Sequence, residues 1–582
     1  MMNENLYRWR NRQLREHVSV VENQLAPTKL LKNATYLNVY MREWERANIW
    51  IYEDRIVYVG DRLPEVQSST EVVDCTDYFL VPGYVEPHAH PFQLYNPQTL
   101  AEYAVTRGTT TLVNDNLILF LLLRNKKAFS FLDEMQCHPA SIFWWARFDS
   151  QSELRDEDER VDEAAVLEWL NHDAVIQGGE LTSWPDILKD DERGLHWMQE
   201  TRRLRKVVEG HFPGASENTL TKMKLLGTDG DHESISGEDV LKRIRIGYYA
   251  GLRNSSIRSD LSEIIKSLLS HEIKNWDYLF YTTDGSTPSF YKSGVIEPLI
   301  QIALELGVPV VDAYRMATIN PATYFGLRER IGSIAPGRVA HINFLSEQTN
   351  PFPEAVLAKG KWTRYKNQPV HEESKQVDFE KTDLKPLNIV WELKEADFTF
   401  STPIGMEMQN DVILKPYPVK LESHTDQLSE THDEAFALLL DREGKWRISS
   451  YIKGFTTQLG GMVSTYSNTG DFILIGKRKG DMKLAFNRMK EMGGGIVLAH
   501  QGKIIYELPL PLKGAMTDIS MEKLIGQEEK LQQVLIDFGY RFQDPVYTLL
   551  FLSSTHLPYI RLTPKGLMDV KKKEILFPSV MR

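Results

Sequence analysis

The segment VPGYVEPHAH at residues 81–90 constrains the architecture of this chain more than any other segment. In it, an apolar run leads directly to two histidines, His88 and His90, that are separated by one residue. Side chains two positions apart on a β-strand point to the same face. Both imidazoles can therefore reach one metal ion at the end of a strand. A histidine pair is weak evidence by itself, because a surface loop can contain the same pattern.

The sequence that follows alternates between short apolar runs and helix-like stretches. Eight candidate strands begin on average about 29 residues apart, which is close to the length of one βα unit. Eight consecutive βα units predict a (β/α)8 barrel, a fold of the α/β class. The candidate strands lie at residues 79–85, 109–113, 141–145, 174–176, 206–208, 224–226, 246–249 and 278–281.

Metal-capable side chains follow four of the later candidate strands. The carboxyl ends of the strands form the catalytic face of a (β/α)8 barrel. We therefore expect these four side chains to meet His88 and His90 at that face. They are Glu180, His211, His232 and Asp284, and the strands they follow begin at residues 174, 206, 224 and 278.

These six side chains predict a centre of two divalent metal ions. His88 and His90 would hold one cation and His211 and His232 the other, with Glu180 bridging them because a carboxylate spreads its charge over both. The mixture of imidazole and carboxylate suits Mn or Fe, with Zn as an alternative, whereas Mg and Ca prefer oxygen ligands. Two cations ~3.5–4 Å apart lower the pKa of a shared water, which makes hydroxide available near neutral pH.

Two carboxylates are candidates for moving protons at this centre. Asp284 is the predicted general base, since it can bind one cation and accept a proton from the attacking water. Glu233, which is adjacent to His232, has two interpretations. It could carry a proton to a leaving amine, or it could be a solvated carboxylate at the start of a helix.

The segments on either side of the barrel predict a second, composite domain. Residues 30–80 contain alternating β-type sequence, but they hold too few strands to be stable alone. Residues 333–370 have the same character, and we expect the two segments to form one small β-sandwich. Residues 1–29 are predicted as a helical extension, residues 81–332 as the barrel, and residues 371–582 as an α+β domain that begins with a charged linker at 371–383.

The composition excludes several classes of protein. With 68 basic and 80 acidic residues the net charge is −12, which argues against a general nucleic-acid binder or membrane-surface binder. Two cysteines cannot make a disulfide framework. The apolar run LILFLLL at residues 117–123 is shorter than the ~20 residues that span a bilayer, and we expect a buried helix or pocket wall there. No targeting signal is evident, so a cytoplasmic protein is expected.

Several longer motifs resemble the amidohydrolase superfamily and, within it, the adenine deaminase family. The superfamily features are the segment 81–90, MATINPATYFGL at 316–327 and GSIAPGRVAHINFL at 332–345. The family features lie at 210–220, 228–233 and 245–253, and in the C-terminal part at 493–518, 544–554 and 561–570. The resemblance implies a metal-dependent hydrolase that acts on carbon–nitrogen bonds other than peptide bonds, with an appended C-terminal α+β domain.

The leading reaction implied by this resemblance is the conversion of adenine and water to hypoxanthine and ammonia. The chain departs from the family pattern at residues 91–95 and 114–117, which leaves the identity of the small-molecule substrate open. A binuclear-metal amidase or cyclic-amide hydrolase is the alternative enzyme, and a non-catalytic metal-binding homologue is the alternative from another class. A homo-oligomer is compatible with the sequence.

Overall fold

The computed structural model describes residues 10–155, 161–370, 377–420 and 425–582. The first described element is helix α1, Asn11–Val21, which belongs to the predicted helical extension. Of the predicted charged linker at 371–383, residues 371–376 lie outside the described residues. Within the described residues, no helix combines the length and the apolar character that crossing a membrane requires.

Five strands precede the barrel and form one side of a mixed sheet. The second and third of them pair antiparallel across a turn at Glu53, whose φ is +53°. The five strands are β1 (Lys29–Asn38), β2 (Glu43–Tyr52), β3 (Arg55–Gly60), β4 (Glu71–Asp74) and β5 (Phe79–Pro82).

Eight parallel strands then form a nearly closed barrel in the spatial order of their sequence, which confirms the predicted fold class. The barrel strands are β6 (Tyr84–Ala89), β7 (Thr109–Asp115), β8 (Ser141–Ala146), β9 (Val175–Leu181), β10 (Val207–Gly210), β11 (Gly230–Asp231), β12 (Tyr249–Arg253) and β13 (Leu279–Thr282). The first and last strands face each other across the seam. There the buried Glu86 carboxylate accepts hydrogen bonds from Thr282 Oγ1 (2.8 Å) and from the backbone amide of Thr283 (2.9 Å). This side chain ties β6 to β13.

Helices surround the strands and continue beyond the last of them. They are α2 (Pro97–Val105), α3 (Leu117–Leu122), α4 (Asn125–Met135), α5 (Glu163–Asn171), α6 (Trp184–Ile187), α7 (Glu192–Arg203), α8 (Glu217–Leu226), α9 (Gly237–Arg245), α10 (Leu261–Ser270), α11 (Glu297–Glu305), α12 (Val310–Ala317) and α13 (Ile319–Tyr324), with a 3₁₀ helix at Pro288–Ser293. Every residue of α3 is buried, which confirms that the run at 117–123 is a buried helix rather than a membrane span.

Three of the predicted barrel strands need correction. Residues 224–226 are not a strand but the last turn of α8, which begins at the capping residue Ser216 and ends at Gly227 with a φ of +116°. The true sixth strand is the two-residue β11 directly before His232. The run at 246–249 overlaps β12 only at Tyr249. The run at 79–85 is divided between β5 and β6 at Gly83, where a Cβ atom would lie 2.0 Å from Thr110 Oγ1.

Four strands after the barrel return to the first sheet. They are β14 (Ile342–Leu345), β15 (Ala355–Ala358), β16 (Lys361–Tyr365) and β17 (Gln368–Pro369). Strand β14 pairs antiparallel with β5, so the sheet has the order β17-β16-β15-β14-β5-β1-β2-β3, with β4 attached to β1. The two flanking segments therefore share one nine-stranded sheet.

We expect Phe344→Ala to lower the free energy of unfolding by about 3–5 kcal/mol. Phe344 lies in β14 and is 1% exposed. Its ring packs edge-on against Tyr78 and is tilted against the ring of Trp362. Chemical unfolding followed by tryptophan fluorescence measures the effect. Phe352→Ala is the matched control, because Phe352 is 41% exposed. Equal stability of the two variants would contradict a core position for β14.

The C-terminal region forms two further sheets, one of nine strands and one of three. Its strands are β18 (Ile404–Met408), β19 (Leu414–Pro418), β20 (Glu434–Leu440), β21 (Trp446–Lys453), β22 (Gly461–Ser464), β23 (Phe472–Gly476), β24 (Gly495–His500), β25 (Lys503–Pro509), β26 (Ile560–Thr563), β27 (Gly566–Asp569), β28 (Glu574–Pro578) and β29 (Val580–Met581). Its helices are α14 (Lys479–Met492), α15 (Met521–Asp537) and α16 (Pro545–Phe551), with a 3₁₀ helix at Glu395–Phe398.

Candidate metal centre

All six predicted metal ligands meet at the carboxyl ends of the barrel strands. Each of them lies at the end of a strand or within two residues after it, where side chains leave the packed barrel interior and converge above it. His88 is in β6 and His90 follows it, Glu180 is in β9, His211 follows β10, His232 follows β11, and Asp284 is two residues beyond β13.

The donor atoms of these residues form three overlapping sets, in each of which all donor atoms lie within 4.8 Å of one another. The sets are His88, His90 and Glu180; Glu180, His211 and His232; and His88, His232 and Asp284. Glu180 belongs to two of these sets, one with the pair His88 and His90 and the other with the pair His211 and His232. The cluster could therefore hold more than one metal ion.

The two oxygens of Glu180 face different histidine pairs. Its Oε2 lies 3.9 Å from the Nε2 atoms of both His88 and His90. Its Oε1 lies 2.5 Å from His211 Nδ1 and 3.4 Å from His232 Nε2. The side chain is 3% exposed. Each oxygen is thus next to its own pair of imidazoles.

The hydrogen bonding of the donor atoms, as well as their positions, fits a metal ion. His232 Nε2 is buried and makes no hydrogen bond to the described residues, and an unpaired buried polar atom costs roughly 1–3 kcal/mol. Its other ring nitrogen, Nδ1, lies 3.3 Å from Glu209 Oε1. A metal-binding histidine commonly donates its second N–H to a carboxylate in this way, so Nε2 is left for a cation.

A buried pair, Asp115 and Arg147, supports this centre and was not predicted from the sequence. His90 Nδ1 donates to Asp115 Oδ2 at 2.7 Å, and Arg147 Nη2 donates to the same oxygen at 2.6 Å. Arg147 Nη2 also lies 2.8 Å from Glu180 Oε2. Burial alone would raise the pKa of Glu180, but Arg147 and the neighbouring His211 hold that pKa well below its usual value.

Asp284 is held in one orientation by its backbone and by an arginine. Its φ is +51°, in the left-handed region that few non-glycine residues adopt, and its backbone amide donates to Thr282 Oγ1 at 2.9 Å. Arg253 Nη1 donates to Oδ2 at 2.7 Å, which leaves Oδ1 3.0 Å from His90 Nε2. Despite burial, Arg253 keeps the pKa of Asp284 well below its usual value. Oδ1 thus faces the histidines.

Glu233 is buried next to the centre and is held by two arginines. Arg253 Nη1 donates to its Oε1, and Arg258 Nη1 donates to its Oε2 at 2.8 Å. Its Oε1 also lies 3.7 Å from a ring nitrogen of His211 and of His232. Burial opposes ionisation, but Arg253 and the histidines lower the pKa of Glu233 to about 2. Of its two interpretations, the solvated helix start is therefore wrong, since this carboxylate is 3% exposed.

The C-terminal domain covers the catalytic face of the barrel. Hydrogen bonds connect it to the loops that follow three strands, namely β6, β8 and β13. The bonds are Thr517 N to Leu94 O (2.7 Å), Thr555 N to Gln151 O (2.9 Å), Ser152 Oγ to Ser553 O (2.6 Å), Thr287 Oγ1 to Asp544 Oδ2 (3.2 Å) and Ser289 N to Glu528 Oε2 (2.6 Å). Side chains of this domain therefore lie near the metal-ligand cluster.

Comparisons with known proteins match both parts of the chain. The sequence model of the amidohydrolase family matches residues 79–363, a range that contains all six candidate ligands. The model of the adenine deaminase C-terminal domain matches residues 412–574. The first match covers the barrel, and the second covers most of the domain that lies over it.

Several relatives match over the full length. A Bacillus cereus protein described as "Putative adenine deaminase" is 51% identical over 579 residues, which cover 100% of this chain and 98% of the relative. A Bacillus subtilis protein of the same description is 49% identical, with 100% of both chains covered. An "Adenine deaminase" of Kosmotoga olearia is 26% identical, with 93% of this chain and 94% of the relative covered. On the strength of the full-length identity and of both matched models, this chain belongs to the adenine deaminase family within the amidohydrolases.

Proposed function

We propose that this protein is a hydrolytic deaminase that converts adenine and water to hypoxanthine and ammonia with the help of two divalent metal ions. The observation that carries the proposal is the position of Glu180, whose two oxygens face two separate histidine pairs. Family membership supports the choice of substrate, since the relatives bear the name of that activity.

The residues that would hold the two ions are the ones predicted from the sequence. His88 and His90 would hold one and His211 and His232 the other, with Glu180 between them and Asp284 as a further ligand. This mixture of nitrogen and oxygen donors favours Mn or Fe, with Zn as an alternative. Bound cations at this position supply Lewis acidity and lower the pKa of a water molecule.

The protein side chains then determine where the water's proton goes. Asp284 accepts it at Oδ1, because Oδ2 is engaged by Arg253 while Oδ1 faces the histidines. Arg253 therefore orients this general base. Asp284 then passes the proton to a ring nitrogen of the purine or to the departing ammonia.

Glu233 would act mainly through its negative charge. Arg253 and Arg258 stabilise its ionised form, so a proton on Glu233 would have to compete with two ion pairs. The carboxylate keeps these guanidinium groups next to the cluster and balances their charge. A proton-carrying role for Glu233 remains a prediction, to be tested after that of Asp284.

The test is an assay of ammonia release by protein that has been loaded separately with Mn, Fe and Zn. We expect about two ions per chain in the active preparation and release of ammonia from adenine. Other aminopurines and a set of cyclic amides are assayed in parallel. The chelated, metal-free protein is the control, and it should regain activity when the metal is added back.

Three outcomes would contradict the proposal in different ways. Turnover of a cyclic amide in place of aminopurines would replace deamination by the amidase reaction. Stoichiometric metal binding without turnover of any compound would favour the non-catalytic homologue. Protein purified without chelator and with added metal that contains no metal at all would exclude the binuclear centre.

A further inference from the structure

One histidine of the C-terminal domain lies at the edge of the metal-ligand cluster. It has no role in the proposed metal binding or proton transfer. His556 is located between α16 and β26, in a segment of the domain that lies over the catalytic face. Its ring centroid is 6.2 Å from that of His211, and the two rings are nearly perpendicular. It is absent from all three candidate ligand sets, so it lies beside the cluster without being part of it.

The backbone around His556 is fixed by both domains. The preceding amide, Thr555 N, donates to Gln151 O in the barrel loop after β8. Ser554 O accepts a hydrogen bond from the buried Arg561 Nε at 3.1 Å. The His556 ring also packs edge-on against Phe551, with the ring centroids 5.5 Å apart. The imidazole is thus positioned by backbone contacts of the two preceding residues and by ring contacts with Phe551 and His211.

One ring nitrogen of this imidazole lacks a partner. His556 Nδ1 is buried and makes no hydrogen bond to the described residues. Leaving such an atom unpaired is unfavourable, and a purely structural ring between Phe551 and His211 would be better served by an apolar side chain. The position and the unpaired nitrogen together indicate that a bound molecule supplies the missing partner.

We propose that His556 belongs to the substrate-binding site and forms a hydrogen bond with a ring nitrogen of the bound purine. The C-terminal domain would then complete the binding site in addition to covering it. A neutral imidazole carries one donor and one acceptor nitrogen, and the nitrogens of a purine ring are acceptors or donors of matching type. The proposal rests on the proposed function, because it takes an aminopurine as the substrate.

Two variants of His556 separate hydrogen bonding from packing. His556→Phe keeps the aromatic contacts with Phe551 and His211 but removes both nitrogens. His556→Asn loses those contacts but keeps an amide close to the position of Nδ1. His432→Asn is the control, since His432 is an exposed histidine of the same domain.

The readout is the binding of hypoxanthine, the expected product, to metal-loaded full-length protein by calorimetry. Loss of one hydrogen bond predicts that His556→Phe weakens binding by about tenfold. The KM for adenine should rise by a similar factor with little change in kcat, the pattern of lost uniform binding. His556→Asn should retain more affinity than His556→Phe. Metal content and melting temperature are measured for every variant.

The outcomes distinguish failure of this proposal from failure of the proposed function. If the unmodified protein binds hypoxanthine and His556→Phe binds it equally well, the His556 proposal is wrong and the deaminase function stands. Higher affinity in His556→Phe than in His556→Asn would likewise assign the ring a packing role only. If the unmodified protein neither binds hypoxanthine nor deaminates adenine, the proposed function fails, and this proposal fails with it.

Discussion

Asp284→Asn is expected to lower turnover at least about a hundredfold, since general-base assistance is typically worth about 10²–10⁴-fold in rate. The substitution keeps the size of the side chain and one ligand oxygen but removes the charge and the basicity of Oδ1. Substrate affinity should change little, because the lost interaction is made in the transition state. Steady-state kinetics of ammonia release measure both quantities.

Asp277→Asn provides a matched control for this experiment. Asp277 lies two residues before β13 and Asp284 two residues after it, so the pair flanks the same strand at opposite ends of the barrel. Asp277 is ion-paired with Arg315 at 2.8 Å, remote from the catalytic face. Metal content must be measured on each sample, because loss of an ion would mimic loss of the base. A metal-replete Asp284→Asn variant with normal turnover would remove Asp284 from the mechanism and leave Glu233 to be tested.

The fold was predictable because the apolar runs recur at the spacing of βα units. The largest error arose at the shortest barrel strand. Strand β11 has only two residues, Gly230 and Asp231, and so it carries no apolar run of its own. The neighbouring apolar run at 224–226 predicts a strand, although it forms the last turn of a helix. The predicted strand-end position of His232 is nevertheless correct, because strand β11, which directly precedes it, also ends at the catalytic face.

The candidate ligands were predictable for a related reason, and their supporting residues were not. Side chains at strand ends are marked by their position in a repeating pattern. Asp115 and Arg147 also follow or end strands, but a single aspartate or arginine is common and gives no signal until the structure brings the two together. His556 is 345 residues away from His211 in the chain. Its proximity depends on how the C-terminal domain packs on the barrel, which no local pattern encodes.

Glu180→Gln should reduce metal content from about two ions per chain to well below one. Its two oxygens face different histidine pairs, so loss of its charge weakens both positions together. Gln retains the size of the side chain and an oxygen beside Arg147. Turnover should fall at least about a hundredfold, since even residues that only support metal ligands cost up to about a hundredfold when they are replaced. Elemental analysis of the purified variant measures the metal content.

His211→Asn is the variant against which Glu180→Gln should be compared. His211 belongs to only one of the two ligand sets that share Glu180, so its replacement should remove about one of the two ions and leave the other in place. Loss of both ions in Glu180→Gln and of one ion in His211→Asn is the result expected if the two sites share the Glu180 carboxylate. If Glu180→Gln instead lost one ion and kept the other, Glu180 would be a ligand of a single site. In that case another group would have to hold the two cations together, and Asp284, which reaches both His88 and His90, would be the next side chain to examine.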